Sequence, residues 1–164
     1  MVLINCIDFH IAGFDICESD IPYFIRPGST IRSPNFPNYY ENNKECKMTI
    51  RFSADQKVKI ELISFHTEGD YDPLKVYDGP EGERIANLGG SINSGDTYTS
   101  TGNAMYLEFS SDSSTDNSDS YSGFIIIAKA GNENITYMII IKTRNYIRIS
   151  MFFQRLFSFR NRVF

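Results

Sequence analysis

The stretch SPNFPNYYENNKEC (residues 33–46) decides the fold, together with YDPLKVYDG (residues 71–79) and FSSDSSTDNSDSYSGF (residues 109–124). The first is rich in the proline and asparagine of turns, and the second is a short strand that runs into Asp-Gly-Pro, a turn signal. The third leaves a strand and becomes a long loop of Ser, Asp, Thr and Asn that cannot bury itself. Loops of that length in compact domains are often functional.

Strand signals dominate on both sides of these stretches, and helix signals are nearly absent. Apolar and polar residues alternate in residues 48–52, 57–62, 105–109 and 124–128. Short strands separated by turn residues predict an antiparallel β-sandwich or barrel.

One strand changes parity along its length. Val58, Ile60 and Leu62 face one way, whereas Ile63 and Phe65 fall on the other face. This shift would expose one of the two sets unless an extra residue is absorbed. We therefore expect a β-bulge near Leu62.

The net charge of −4 conceals an uneven distribution along the chain. Residues 131–164 carry six basic side chains and one acidic one, whereas the first 130 residues have a net charge of −9. An acidic body argues against nucleic acid as a partner, since phosphates need a basic face. It suits cations or basic protein surfaces.

Three cysteines, Cys6, Cys17 and Cys46, stand in no zinc-binding spacing, so one disulfide and one free thiol are expected. A glycosylation triplet at Asn134 hints at secretion. The start of the chain is a poor signal peptide, because Asp8 and Asp15 interrupt its apolar run. No run approaches the roughly 18 apolar residues of a membrane span. If the protein is secreted, we expect its true N-terminus to be missing.

Residues 17–130 resemble the CUB domain family, whose members are extracellular β-sandwiches used as binding modules. The resemblance rests on a first cysteine, then GSTIRSPNFPNYY (residues 28–40), a second cysteine at position 46, and the later YD and SD motifs. It implies a jelly-roll-like antiparallel sandwich that is not an enzyme. It also implies a Cys17–Cys46 disulfide, which leaves Cys6 unpaired. Closing a loop of about thirty residues stabilises by roughly 3–4 kcal/mol in the chain-entropy model.

The resemblance also implies a Ca²⁺ site. Calcium-binding members of the family supply carboxylates from positions that correspond here to Glu68, Asp72 and Asp112. Ser114 would add its backbone carbonyl oxygen, and Tyr40 would hold the glutamate in place. Ca²⁺ prefers six to eight oxygen ligands, which three carboxylates with carbonyls and waters supply.

The remaining polar residues suggest no catalysis. His10 and His66 are the only histidines, and no Ser/His/Asp or Cys/His arrangement is evident. We therefore expect a non-catalytic extracellular module that binds a protein through a Ca²⁺-ordered loop edge, with a basic residue of the partner beside the acids. The alternatives are a CUB fragment of a larger secreted protease and a carbohydrate-binding CUB module whose partner is a glycan.

The two ends of the chain lie outside the expected domain. Residues 1–16 form an N-terminal extension, and residues 131–164 form a basic and apolar tail. The tail has three open interpretations: a disordered or inaccurately predicted gene end, a segment that lies on a membrane surface, or an interaction arm. We expect it to make few contacts with the sandwich core.

Overall fold

Two sheets pack face to face in this computed structural model, which describes residues 13–18, 23–114 and 121–131, with two further strands after them. No helix occurs among these residues, and hence none that could cross a membrane. The thirteen strands are β1 (Gly13–Asp15), β2 (Tyr23–Phe24), β3 (Thr30–Arg32), β4 (Glu45–Arg51), β5 (Val58–His66), β6 (Leu74–Tyr77), β7 (Arg84–Leu88), β8 (Ser91–Ile92), β9 (Thr97–Thr99), β10 (Ala104–Ser110), β11 (Gly123–Ala130), β12 (Thr136–Lys142) and β13 (Ile147–Phe153).

The first sheet has the order β1-β3-β11-β5-β8, with β9 also paired to β5. The second sheet has the order β2-β4-β10-β6-β7. Most neighbours are antiparallel, as the sequence predicts, but β1 runs parallel to β3 and β2 runs parallel to β4. The predicted β-sandwich is confirmed, with these two short parallel pairs as additions at the edges.

The core lies between the sheets, and the alternation seen in the sequence decides which side chains enter it. From the second sheet, Met105, Leu107 and Phe109 of β10 are fully buried; from the first, Phe124 and Ile126 of β11 are. The Phe109 and Phe124 rings meet edge to face across the two sheets, with centroids 5.4 Å apart. Such an aromatic pair adds about 0.5–1.5 kcal/mol beyond the area it buries.

The predicted β-bulge occurs at Ile63. Along β11, Ile125 lies opposite Ser64 and the next residue, Ile126, lies opposite Leu62, so Ile63 has no partner in the ladder. Ile63 is 43% exposed, whereas Leu62 before it and Phe65 two positions after it are buried. The extra residue therefore returns Phe65 to the core and accounts for the parity change in β5.

The sandwich also takes in residues on the N-terminal side of the boundary expected at residue 17. Strand β1 extends the first sheet, and Ile16, which follows it, is fully buried in the core. Near the other end, the chain divides into two compact units, Met1–Gly131 and Asn132–Phe164. In the second unit, β12 and β13 form an antiparallel pair in which Thr136 lies opposite Phe153.

Candidate metal site

The three carboxylates named by the sequence lie close together in the structure. Glu68 follows the end of β5, Asp72 precedes β6, and Asp112 follows the end of β10. One carboxylate oxygen from each lies within 4.8 Å of the other two. Glu68 and Asp72 are buried, and Asp112 is half-buried. The cluster therefore lies where the loop after β5 of the first sheet meets the start of β6 and the end of β10, two neighbouring strands of the second sheet.

A tight turn brings the first two acids together although only four positions separate them. The Asp72 amide donates to the Glu68 carbonyl oxygen at 2.9 Å, which closes the turn. Gly89 packs directly against this turn, and a Cβ atom there would lie 1.8 Å from the Gly69 carbonyl oxygen. This turn therefore requires glycine at position 89. The sequence motifs did not reveal the requirement, because residue 89 lies in a different segment from the three acids.

Asp72 is the centre of the hydrogen bonds within the cluster. Its Oδ2 accepts the hydroxyl proton of Tyr40 at 2.7 Å, and its Oδ1 accepts the Asp112 amide at 2.8 Å. The Asp72 side chain is fully buried. Burial of a carboxylate is unfavourable unless hydrogen bonds compensate for lost water, and these two bonds supply that compensation.

Tyr40 links Asp72 to Glu68 through its hydroxyl group. The oxygen that donates to Asp72 also accepts the Glu68 amide at 3.0 Å. The Tyr40 ring packs edge to face on Phe109, with centroids 5.3 Å apart. Burial, and next the hydrogen bond to Asp72, raise the pKa of Tyr40 far above its ordinary value, so the hydroxyl keeps its proton. The Tyr40 hydroxyl contacts the main-chain amide of Glu68, so it holds the backbone of the glutamate in place.

Asp112 is held through its main chain as well as its side chain. Its carbonyl oxygen accepts the Asn43 amide at 2.7 Å, and its Oδ1 accepts the Ser114 amide at 2.8 Å. Ser114 is exposed and lies at the last described position before residue 121. Its amide is thus placed beside Asp112, while the role of its carbonyl oxygen remains a prediction.

Two further predictions concern cysteines and glycosylation. Cys17 and Cys46 form the predicted disulfide, with Cα atoms 4.7 Å apart. Cys6 and Asn134 lie outside the described residues.

His66 is half-buried at the end of β5, where its ring contacts the Tyr121 ring at 5.2 Å between centroids.

Comparison with known families gives the same pattern over most of the chain. A model described as the CUB domain matches residues 17–126, about two thirds of the sequence. The chain belongs to the CUB domain family.

Curated relatives of this CUB domain are much longer proteins. Tolloid-like protein 2 of Mus musculus is 35% identical over 113 residues, which are 64% of this chain and 11% of that protein. Cubilin of Canis lupus familiaris is 30% identical over 106 residues, which are 60% of this chain and 3% of that protein. The chain therefore spans about a tenth or less of the length of these relatives.

Solved structures share the sandwich. The MASP-1 CUB2 domain bound to Ca²⁺ matches with a TM-score of 0.56 at 25% identity, covering 68% of this chain and 99% of that one. The full extracellular region of zebrafish Gpr126/Adgrg6 matches with a TM-score of 0.55 at 27% identity, covering 73% of this chain and 14% of that one.

The acidic cluster of this CUB domain fits a calcium ion by its chemistry and its spacing. All three side chains offer carboxylate oxygens, the donor that Ca²⁺ prefers. Two oxygens that contact the same ion at 2.3–2.6 Å lie at most about 4.6–5.2 Å apart. One oxygen from each of the three carboxylates lies within 4.8 Å of the other two, so a single ion can contact all three.

Proposed function

We propose that this CUB domain is an extracellular, non-catalytic binding module that takes up one Ca²⁺ at Glu68, Asp72 and Asp112. The observation that carries the proposal is the convergence of three carboxylates, two from the turn after β5 and one from the end of β10. Hydrogen bonds from Tyr40 and the Asp112 amide hold the Asp72 carboxylate between the other two acids. Carboxylates so close repel one another, and a bound cation would neutralise that repulsion. The Ca²⁺-bound state of the MASP-1 CUB2 domain, a structural relative, supports the choice of ion.

The edge that carries the cluster is also the proposed docking surface for a protein partner. Tyr39 and Tyr71 are 61% and 65% exposed, and they adjoin Tyr40 and Asp72 in the chain. Exposed tyrosines are typical of binding interfaces, because their rings bury much area at little entropic cost. The acids beside them favour a partner that presents a lysine or arginine.

Location outside the cell is supported by the Cys17–Cys46 disulfide, since such bridges persist in oxidising compartments. The share of the relatives that this chain covers favours a role as one module of a longer protein. In that setting, a catalytic activity would belong to other domains, as in the alternative of a protease that carries CUB modules.

Calcium uptake can be tested with Asp112→Ala. Calorimetry with CaCl₂ on the oxidised chain should show one site for the unaltered protein and none for the variant. At a hundredfold excess over the dissociation constant, binding to the folded state alone adds about 2.7 kcal/mol of stability. The unaltered chain should therefore melt at a higher temperature with Ca²⁺, and Asp112→Ala should not.

Asp96→Ala provides the matched control, because Asp96 is an exposed acid on the turn before β9. It removes the same charge and should keep the Ca²⁺-dependent rise in melting temperature. Absence of calcium uptake by the unaltered chain at millimolar CaCl₂ would refute the proposed ion and leave a calcium-free adhesion module as the function.

A further inference from the structure

Ser111 occupies a buried position between the end of β10 and Asp112, where its side chain is 7% exposed. Its hydroxyl donates to the Glu41 carbonyl oxygen at 2.8 Å and accepts the Lys44 amide at 2.9 Å. Its own amide donates to the Lys44 carbonyl oxygen at 2.9 Å. One serine thus makes three hydrogen bonds to the segment 41–44, which follows Tyr40.

The segment 41–44 in turn holds the main chain of Asp112. The Asn43 amide donates to the Asp112 carbonyl oxygen at 2.7 Å. On the other side of the residue, the Asp112 amide donates to Asp72 Oδ1 at 2.8 Å. The backbone of Asp112 is therefore held at both its amide and its carbonyl group. The contact at the carbonyl group comes from Asn43, in the segment that Ser111 binds.

We propose that Ser111 is a positioning residue of the acidic site: its hydroxyl fastens the segment 41–44 to the end of β10 and so holds Asp112 in place beside Asp72. The inference deepens the proposed function and rests on it for its metal readout. The Ser111 hydroxyl is bonded to the segment 41–44, and it acts on the cluster through Asn43 and the Asp112 backbone.

The hydroxyl is suited to this role because it donates and accepts at once. Alanine would leave the Lys44 amide and the Glu41 carbonyl oxygen without this partner. The ion pair between the Glu41 and Lys44 side chains spans the same segment. This ion pair cannot replace the lost hydrogen bonds, because both of its partners belong to the segment 41–44. Glu41 is also exposed, and exposed ion pairs contribute little stability.

Calcium affinity is the first readout, measured by calorimetry with CaCl₂ on the full oxidised chain. Ser111→Ala should bind about ten- to a hundredfold more weakly, which is the usual effect of removing a group that orients a metal ligand. Ser111→Thr keeps the hydroxyl and should bind as the unaltered chain does. A threonine variant as defective as the alanine variant would overturn a role for the hydroxyl.

Ser100→Ala is the matched control for loss of a buried hydroxyl. Ser100 is 2% exposed, accepts the Val58 amide at 2.9 Å and donates to the Gly102 carbonyl oxygen at 2.7 Å. Its removal should lower the melting temperature to a similar extent and leave calcium affinity unchanged. Equal loss of affinity in both variants would show a general effect of stability and would overturn the proposal.

Amide hydrogen exchange on the metal-free chain gives a readout that does not depend on calcium. The amides of Asn43 and Asp112 should exchange faster in Ser111→Ala and not in Ser100→Ala. Unchanged exchange at Asp112 would overturn the positioning role, even if calcium binds. If the unaltered chain binds no calcium, the proposed function fails, and exchange at Asp112 still decides whether Ser111 holds this residue.

Discussion

A single atom, the hydroxyl oxygen of Tyr40, bridges the two acids of the turn after β5. It accepts the Glu68 amide and donates to the Asp72 carboxylate, and both partners are buried. Because burial raises the pKa of Tyr40 far above its ordinary value, the hydroxyl keeps its proton at neutral pH.

Replacement of Tyr40 by phenylalanine isolates this hydroxyl. Tyr40→Phe keeps a ring to pack on Phe109 but removes both hydrogen bonds at Asp72 and Glu68. We expect the free energy of unfolding to fall by about 1–3 kcal/mol, since buried polar partners lose a bond. Urea denaturation of the metal-free chain measures the change.

Tyr77→Phe is the control for Tyr40→Phe. Tyr77 is half-buried in β6, where its ring lies 5.6 Å from that of Tyr106. Its hydroxyl has no role in the acidic cluster, so the substitution should shift the urea midpoint less. Equal midpoints for Tyr40→Phe and the unaltered chain would show that the bridging hydroxyl contributes no net stability.

At the scale of elements, the bulge in β5 gives two adjacent apolar residues opposite environments. Leu62 is fully buried between the sheets, and Ile63 is 43% exposed on the other face. The bulge lets one strand fill the core with Val58, Ile60 and Leu62 and then again with Phe65, and the strand continues to the turn that carries Glu68. The position of the first acid therefore depends on this extra residue.

Alanine substitutions at these two positions should differ sharply. Leu62→Ala removes buried methyl groups and should cost about 2–5 kcal/mol of unfolding free energy. Ile63→Ala, at an exposed position, should change stability by about 0.5 kcal/mol or less. Chemical denaturation of both variants provides the comparison, each serving as the control of the other. A larger loss for Ile63→Ala than for Leu62→Ala would place the bulge at a different residue.

Long strands were predictable from the sequence, and short ones were not. Strands such as β4 and β10 have seven residues each, enough for alternation to show. Strands β1, β2 and β8 have two or three residues, which carry almost no periodicity, and two of them pair in parallel at sheet edges. The buried Ile16 was missed for the same reason, because it follows a strand too short to recognise.

At the scale of the whole molecule, the disulfide ties the two sheets together. Cys17 follows β1 at the edge of the first sheet, and Cys46 lies in β4 of the second. Family resemblance predicted this pairing and the three acids, because both rest on side chains at fixed motif positions. It could not predict the roles of Ser111 and Asn43, since these depend on backbone contacts that exist only once β10 and the segment after Tyr40 are folded.

The sandwich should be stable without the C-terminal part of the chain, and this is the prediction that tests its extent. The apolar core of the sandwich runs from Ile16 to Ala128, and the Gly131 amide donates to the Lys57 carbonyl oxygen at 2.8 Å. Residues 132–164 form a separate compact unit and reverse the sign of the charge. A chain that ends at Gly131 should therefore keep the urea midpoint of the full chain.

A second truncation, ending at residue 127, serves as the control for that deletion. It removes Ala128, whose amide donates to the Ser29 carbonyl oxygen at 2.8 Å and whose carbonyl oxygen accepts the Gly28 amide at 2.7 Å. It also shortens β11, the strand between β3 and β5 in the first sheet. Because a central strand loses ladder bonds and a core residue, this chain should unfold at clearly lower urea. A large drop already for the chain that ends at Gly131 would mean that residues 132–164 stabilise the sandwich, which would contradict their assignment as a tail.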